Sequence, residues 1–128
     1  MSSACTVPVV NGRILLARRA IEPARGRWVF PGGYMERGET VPQAAERETF
    51  EEVGLTVRAT RPVGIYSYPD TAVVVIVYHC EVLSGEPTAS SETLEVRLFA
   101  PEEIPWDELA FTSTRDALHD FVAQWTGR

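Results

Sequence analysis

A chain of 128 residues, 45% of them apolar, is long enough for one packed core and too apolar for a disordered segment. Its formal charge of -6, from 18 acidic and 12 basic residues, argues against a broad basic surface for long nucleic acid. It leaves small phosphorylated ligands open, because bound metal ions can invert a local field.

Cys5 and Cys80 form no CxxC pair, and His79 and His119 have no zinc-ligand spacing, so two reduced thiols and no zinc are expected. No charged segment leads into a long apolar run, so no secretion signal is read. The longest apolar run, residues 72–78, is too short to span a membrane. The expectation is a cytoplasmic single domain, residues 1–128, with no membrane partner.

In chain order, residues 6–10 and 14–17 read as strands joined at Asn11-Gly12, a strong hairpin signal. Residues 18–27 carry charge, Pro23 and Gly26, and read as a loop. Residues 28–30 make a short strand that Pro31-Gly32-Gly33 stops. A helix is predicted over 41–53, with Thr40 as N-cap, Gln43 completing a capping box, Pro42 in the first turn and Gly54 past the end.

Residues 55–59, 63–67 and 71–82 read as strands, the last apolar on both faces and therefore central and buried. A loop over 83–91 leads to a strand at 95–100, and 101–104 form a single helical turn. A closing helix over 114–125 takes Ser113 as its cap. Ala117, Leu118, Phe121, Val122 and Trp125 give it one apolar stripe. Strands with two separated helices imply a layered α+β domain rather than repeated βαβ units.

The first helix carries the chemistry. At about 100° per residue, Glu48, Glu51 and Glu52 share one face. Ala45, Thr49, Val53 and then Phe50 fall on another arc that can pack on a sheet. Carboxylates at these spacings repel one another. A solvated acidic face is the plain reading. The face becomes useful if divalent cations sit on it, since magnesium favours carboxylate oxygens, waters and phosphates.

The segment GYMERGETVPQAAERETFEEVGL, from Gly33 to Leu55, resembles the Nudix box. Gly33, Glu39, Arg47, Glu48, Glu51, Glu52, Gly54 and Leu55 all stand in register, with Thr49 at an otherwise apolar position. The resemblance implies an α/β/α sandwich around a mixed central β-sheet. It also implies water-driven cleavage of a diphosphate bond with Mg²⁺, or Mn²⁺ in its place. Carried over position by position, Gly33 (through its carbonyl), Glu48, Glu51 and Glu52 are the implied metal ligands. Arg47 orients a carboxylate, and Glu39 partners an arginine. Glu52, Glu51, Arg47 and Glu92 make up the implied catalytic set. Glu92 is the first choice for general base because it precedes the strand at 95–100, and Glu95 is the alternative.

The later segment SSETLEVRLFAPEEIPWDELAF resembles the group acting on ADP-ribose, FAD or NADH. A small nucleotide substrate is therefore expected, and a homodimer would be common in that group. Trp28, Phe30 and Tyr34, with Tyr66 and Tyr68, offer stacking faces for a base or else core packing. Arg19 and Arg25 offer phosphate contacts or else solvated charge. The rival readings are a nucleoside triphosphate sanitising pyrophosphohydrolase and, further off, a non-catalytic Nudix-like ligand-binding module.

Overall fold

Pro8 divides the first predicted strand in two, because proline has no N–H to give to a ladder. In the computed structural model, which describes residues 1–126, β1 is Ser2–Val7 and β2 is Val9–Val10. The hairpin signal is met one strand later. β2 and β3 (Arg13–Arg19) pair as Val10↔Arg13 around Asn11 (φ 52°) and Gly12 (φ 75°). Two residues at positive φ are what a two-residue hairpin turn demands. Arg18 and Arg19, expected in a loop, continue β3.

The remaining elements are β4 (Trp28–Val29), β5 (Gly32–Tyr34), α1 (Val41–Val53), β6 (Thr56–Tyr66), β7 (Val74–Ser84), β8 (Thr93–Phe99) and α2 (Thr112–Thr126). Short 3-10 turns cover Pro101–Glu103 and Trp106–Glu108. The two strands expected at 55–59 and 63–67 are one. β6 passes Pro62 through shifts of register, at the edge of its sheet, where a proline is tolerated. Ser113 lies inside α2 rather than capping it.

A mixed sheet runs β5-β1-β7-β6, with β1 antiparallel to β5 and parallel to β7. β7 is interior to this sheet as expected, though among its residues only Val77 and His79 are fully buried. A second sheet, wholly antiparallel, forms around β3, with β8 along one edge and β2 and β4 on the other. Among the described residues no helix is long and apolar enough to cross a membrane. Cys5 and Cys80 are free thiols.

The strand period of two decides which helix covers which face. Ala4 packs with Ala44 and Ala45 of α1. Cys5 and Val7 join Ala117, Leu118 and Phe121 of α2, together with Ile14 and Leu16. Leu15 and Ala17, on the other face of β3, meet Val53 and Leu55. Ile14, Leu15 and Leu16 are all fully buried, so both faces of β3 contribute to cores, at about 1.5–3 kcal/mol for each such side chain. This layering holds α1 against β1 and β5, and so holds its acidic face beside the Gly32-Gly33 backbone.

Candidate active site

The helix that bears the carboxylates is fixed at both ends by local chemistry. The Thr40 hydroxyl accepts from the Gln43 N–H at 3.3 Å, and the Gln43 side chain accepts from the Thr40 N–H at 2.9 Å. Gly54 takes the left-handed conformation (φ 76°) and donates its N–H to the Phe50 carbonyl at 3.0 Å. Ala44, Ala45, Thr49 and Val53 form the buried face. Phe50, expected to pack on the sheet, is 58% exposed.

Thr49 explains itself. Its hydroxyl donates to the Ala45 carbonyl at 2.7 Å and meets the Thr6 hydroxyl at 2.7 Å. A hydroxyl has one proton, so Thr6 must be the donor in the second bond. A polar residue in an apolar position thereby ties the helix to β1 without an unsatisfied group.

On the other face, Glu48 lies against the backbone of β5. A Cβ on Gly33 would run into the Glu48 carboxylate, so any larger residue there would displace that carboxylate from β5. Glu52 accepts the Gly32 N–H. Burial pushes the Glu52 carboxyl up to about 7, with the negative charges of Glu48 and Glu92 adding to it and Arg19 opposing. Glu48 is also raised, first by burial, against the pull of Arg47.

Arg47 stands behind these groups and binds several of them. Its Nε reaches Glu39 at 2.6 Å, its Nη1 reaches Glu48 at 3.0 Å and Glu51 at 3.2 Å, and its Nη2 donates to the Tyr34 carbonyl at 3.1 Å. The hydrogen bond to Arg47 is the main reason that the Glu39 carboxyl is held below its usual range. The Glu51 side chain is 57% exposed, bonded to Arg47, and outside the cavity wall.

Glu48, Glu52 and Gly33 form part of the wall of a cavity of about 1060 Å³. Glu92, Arg19, Phe30, Tyr34 and Tyr68 are in the same wall, so eight of the sequence-predicted positions meet there. Arg19 is held by a bond from its Nε to the Pro23 carbonyl at 2.8 Å, with its guanidinium over the Phe111 ring. Other expectations are corrected. Trp28 is 4% exposed and sits edge-on to Phe99 in the core, so it offers the cavity no face. The Arg25 guanidinium turns back on the Ala20 carbonyl, outside the cavity wall. Glu95 is engaged by Arg18 at 3.2 Å and Arg97 at 3.0 Å and does not reach the wall.

The sequence reading missed Ser3, Cys5, Asp70, Ser113 and Thr114, which also line the cavity. An earlier start for β1 would have placed Ser3 and Cys5 on one face by alternation. No local signal marks the first turn of α2 as part of a site. Burial pushes the Cys5 thiol up to about 12, which favours the protonated form at neutral pH.

Among the described residues, no three Asp, Glu, His or Cys side chains are grouped tightly enough to hold a metal ion by themselves. Glu48 and Glu52 nonetheless fit a hard divalent cation. They are oxygen donors beside a glycine cradle, and magnesium keeps several waters and takes substrate phosphates instead of demanding an all-protein cage.

A family model described as the NUDIX domain matches residues 1–121. A Methanocaldococcus jannaschii protein named ADP-ribose pyrophosphatase is 37% identical over 79% of this chain and 61% of its own length. A Danio rerio oxidized purine nucleoside triphosphate hydrolase is 32% identical over 79% of this chain and 67% of its own. The chain thus spans about three fifths of the first of these relatives. A crystal structure of a NUDIX hydrolase from Nitrosomonas europaea superposes with a TM-score of 0.92 at 35% identity, covering 99% of this chain and 73% of that one. A MutT NUDIX hydrolase from Burkholderia pseudomallei gives 0.78 at 30% identity, covering 93% and 95%.

Proposed function

The chain belongs to the Nudix hydrolase family, and from that premise we propose that it hydrolyses the diphosphate bond of a nucleoside diphosphate derivative of the ADP-ribose, FAD or NADH type. The observation that carries this reading is the meeting of Glu48, Glu52, Gly33 and Glu92 in one cavity wall. The resemblance of residues 91–111 to the ADP-ribose group, and the name of the M. jannaschii relative, supply the substrate class.

Glu48 and Glu52 are the residues to hold Mg²⁺, which when bound would neutralise the diphosphate and acidify the attacking water. Arg47 keeps the Glu48 carboxylate in place, and Glu39 keeps Arg47 in place. Glu92 accepts the proton of the attacking water at its carboxylate. Arg19 donates to a phosphate oxygen. Tyr34, 50% exposed at the cavity, packs against the nucleoside, while Phe30, 2% exposed, backs the wall from the core. Water bonds to phosphorus as the bridging P–O bond breaks, and the leaving phosphate departs with the electron pair. Most of the acceleration is positional and electrostatic.

The test is a substrate panel of ADP-ribose, FAD, NADH and an oxidised purine nucleoside triphosphate, with product analysis. ADP-ribose is expected to yield AMP and ribose 5-phosphate, EDTA to abolish turnover, and added magnesium to restore it. The similarity to the Danio rerio triphosphate hydrolase favours a second reading, triphosphate sanitising. Strong turnover of triphosphates with none of the ADP-ribose group would put that reading in its place.

A further inference from the structure

The cavity that holds Glu48 and Glu52 also reaches the first turn of α2, where Thr112, Ser113 and Thr114 form part of its wall. Thr114 is 1% exposed, and its Oγ1 has no hydrogen-bond partner among the described residues. A buried hydroxyl in that state has given up its bonds to water and gained none in return. Valine has the same shape and would avoid the loss, so packing alone gives no reason for a threonine there.

The start of the helix makes the same point independently. Phe111 stands where a capping Ser, Thr, Asp or Asn is usual, and its side chain has no oxygen to accept an N–H. The helical ladder begins with the Arg115 N–H donating to the Phe111 carbonyl at 3.2 Å, which leaves the N–H groups of Thr112, Ser113 and Thr114 ahead of it. α2 has 15 residues, so its positive end is fully developed. Arg27 and Arg115 line a smaller hollow of about 370 Å³ that shares Ala110, Phe111 and Thr112 with the cavity. Positive charge collects here in a chain whose formal charge is -6. Three acids are nearby. Asp107 lines the smaller hollow, and its backbone carbonyl accepts from the Arg27 guanidinium at 3.2 Å. Asp116 accepts the Tyr68 hydroxyl, and Asp70 lies elsewhere in the cavity wall.

We infer that the first turn of α2, with the Thr114 hydroxyl, is a second anion subsite, which takes a phosphate group carried by the substrate in addition to its diphosphate. This rests on the reading of the α1 face as the diphosphate site. The substrate class is then narrower: a nucleoside diphosphate derivative that also bears a phosphomonoester. Backbone N–H groups at a helix start, joined by a hydroxyl donor, suit a tetrahedral oxyanion.

Two measurements test it. The first compares matched substrates that differ by one phosphate: ADP-ribose against its 2′-phosphate, and NADH against NADPH. The phosphorylated member is expected to have the higher kcat/KM by about tenfold or more, mainly through KM, as suits a hydrogen bond to a charged group. Thr114→Val should erase most of that preference and melt at or above the wild-type temperature, whereas Thr114→Ser should retain the preference. Equal kcat/KM within each pair would overturn the inference, as would an unchanged preference in Thr114→Val.

The second measurement needs neither metal nor turnover. Inorganic phosphate is titrated into the wild-type protein in EDTA, and the backbone amide resonances of residues 112–114 are followed by NMR. A saturable shift confined to that turn is expected, and its absence would count against the subsite even if Thr114→Val failed to fold. If no diphosphate is hydrolysed while the titration saturates, the proposed activity fails and the anion subsite stands.

Discussion

Arg47 grips the Glu39 carboxylate with a two-pronged fork, Nε to Oε2 at 2.6 Å and Nη2 to Oε1 at 3.0 Å. Glu39 precedes the cap of α1 and Arg47 lies within the helix, so the fork fixes the entry loop to the helix. The same guanidinium still reaches Glu48, Glu51 and the Tyr34 carbonyl. A lysine ammonium is a single point donor and cannot replace a planar fork. Arg47→Lys is therefore expected to weaken magnesium affinity and kcat/KM by roughly 10–100-fold, the usual cost of losing a group that orients a metal ligand. Glu39→Gln, which keeps one acceptor, should lose less. A magnesium titration of activity measures both, and full affinity in Arg47→Lys would remove the orienting role.

Glu52→Gln separates function from folding. The substitution keeps the shape and leaves an oxygen for the Gly32 N–H, but removes a carboxylate that is buried beside Glu48 and Glu92. Activity should fall by about 10²–10⁴-fold, the range for lost electrostatic stabilisation. The melting temperature in EDTA should stay level or rise, because a desolvated charge among like charges has been relieved. Activity within a few-fold of wild type would contradict the assignment of Glu52 to the metal face.

α1 was legible to the residue because everything that sets it is local. Thr40, Gln43 and Gly54 act within helical reach, and the carboxylate spacing is a property of one helix. β5 was not legible. Glycine is poor in strands, so Gly32-Gly33 reads as a stop. The strand forms by pairing with β1, and glycine stands in it because a Cβ on Gly32 would meet the Cys5 sulfur and one on Gly33 would meet Glu48. Close approach between distant segments is absent from any local pattern. The same holds for Thr114 and Asp70, which reach the cavity only through the packing of α2 and the β6–β7 connection onto it. Trp28 misled for the converse reason: an aromatic residue in a short strand suits core and cavity equally, and only the position of Phe99 decides.

Two tyrosine–aspartate bonds fasten the β6 end to α2. The Tyr66 hydroxyl donates to Asp120 at 2.7 Å, and the Tyr68 hydroxyl donates to Asp116. Burial first, and the aspartate second, push the Tyr68 hydroxyl up to about 12, and Tyr66 is raised further still. A raised folded pKa favours the neutral phenol, so its contribution is complete below the ordinary value near 10. It is lost as pH climbs through the folded value. Melting temperature should therefore decline between about pH 10 and pH 12, the interval set by these shifts. Tyr68→Phe should flatten part of that decline. An identical alkaline slope in Tyr68→Phe and in Tyr66→Phe would show that neither bond carries it.

The position of Glu92 favours it over Glu95 as the proposed base. Both Glu92 and Glu95 come from the same stretch of chain, yet β8 separates their surroundings. Glu95 pairs with Arg18 across the ladder, and its carboxylate is held by Arg18 and Arg97. Arg18 takes one oxygen of that carboxylate and Arg97 the other, outside the cavity wall. Glu92 lines the cavity and adds its negative charge to Glu48 and Glu52. Its backbone is anchored while its side chain is exposed: the carbonyl accepts the Ala20 N–H at 2.9 Å and the N–H donates to the Ser90 hydroxyl at 3.2 Å. An anchored backbone with an exposed carboxylate suits a group that must meet a water over a bound diphosphate. Glu92→Gln should thus lower kcat far more than it raises KM, with magnesium affinity little changed. Glu95→Gln should leave kcat near wild type and lower the melting temperature slightly, as expected for exposed ion pairs. A collapsed kcat in Glu95→Gln beside a normal one in Glu92→Gln would reverse the assignment. Normal values in both would return the base to the glutamates of α1.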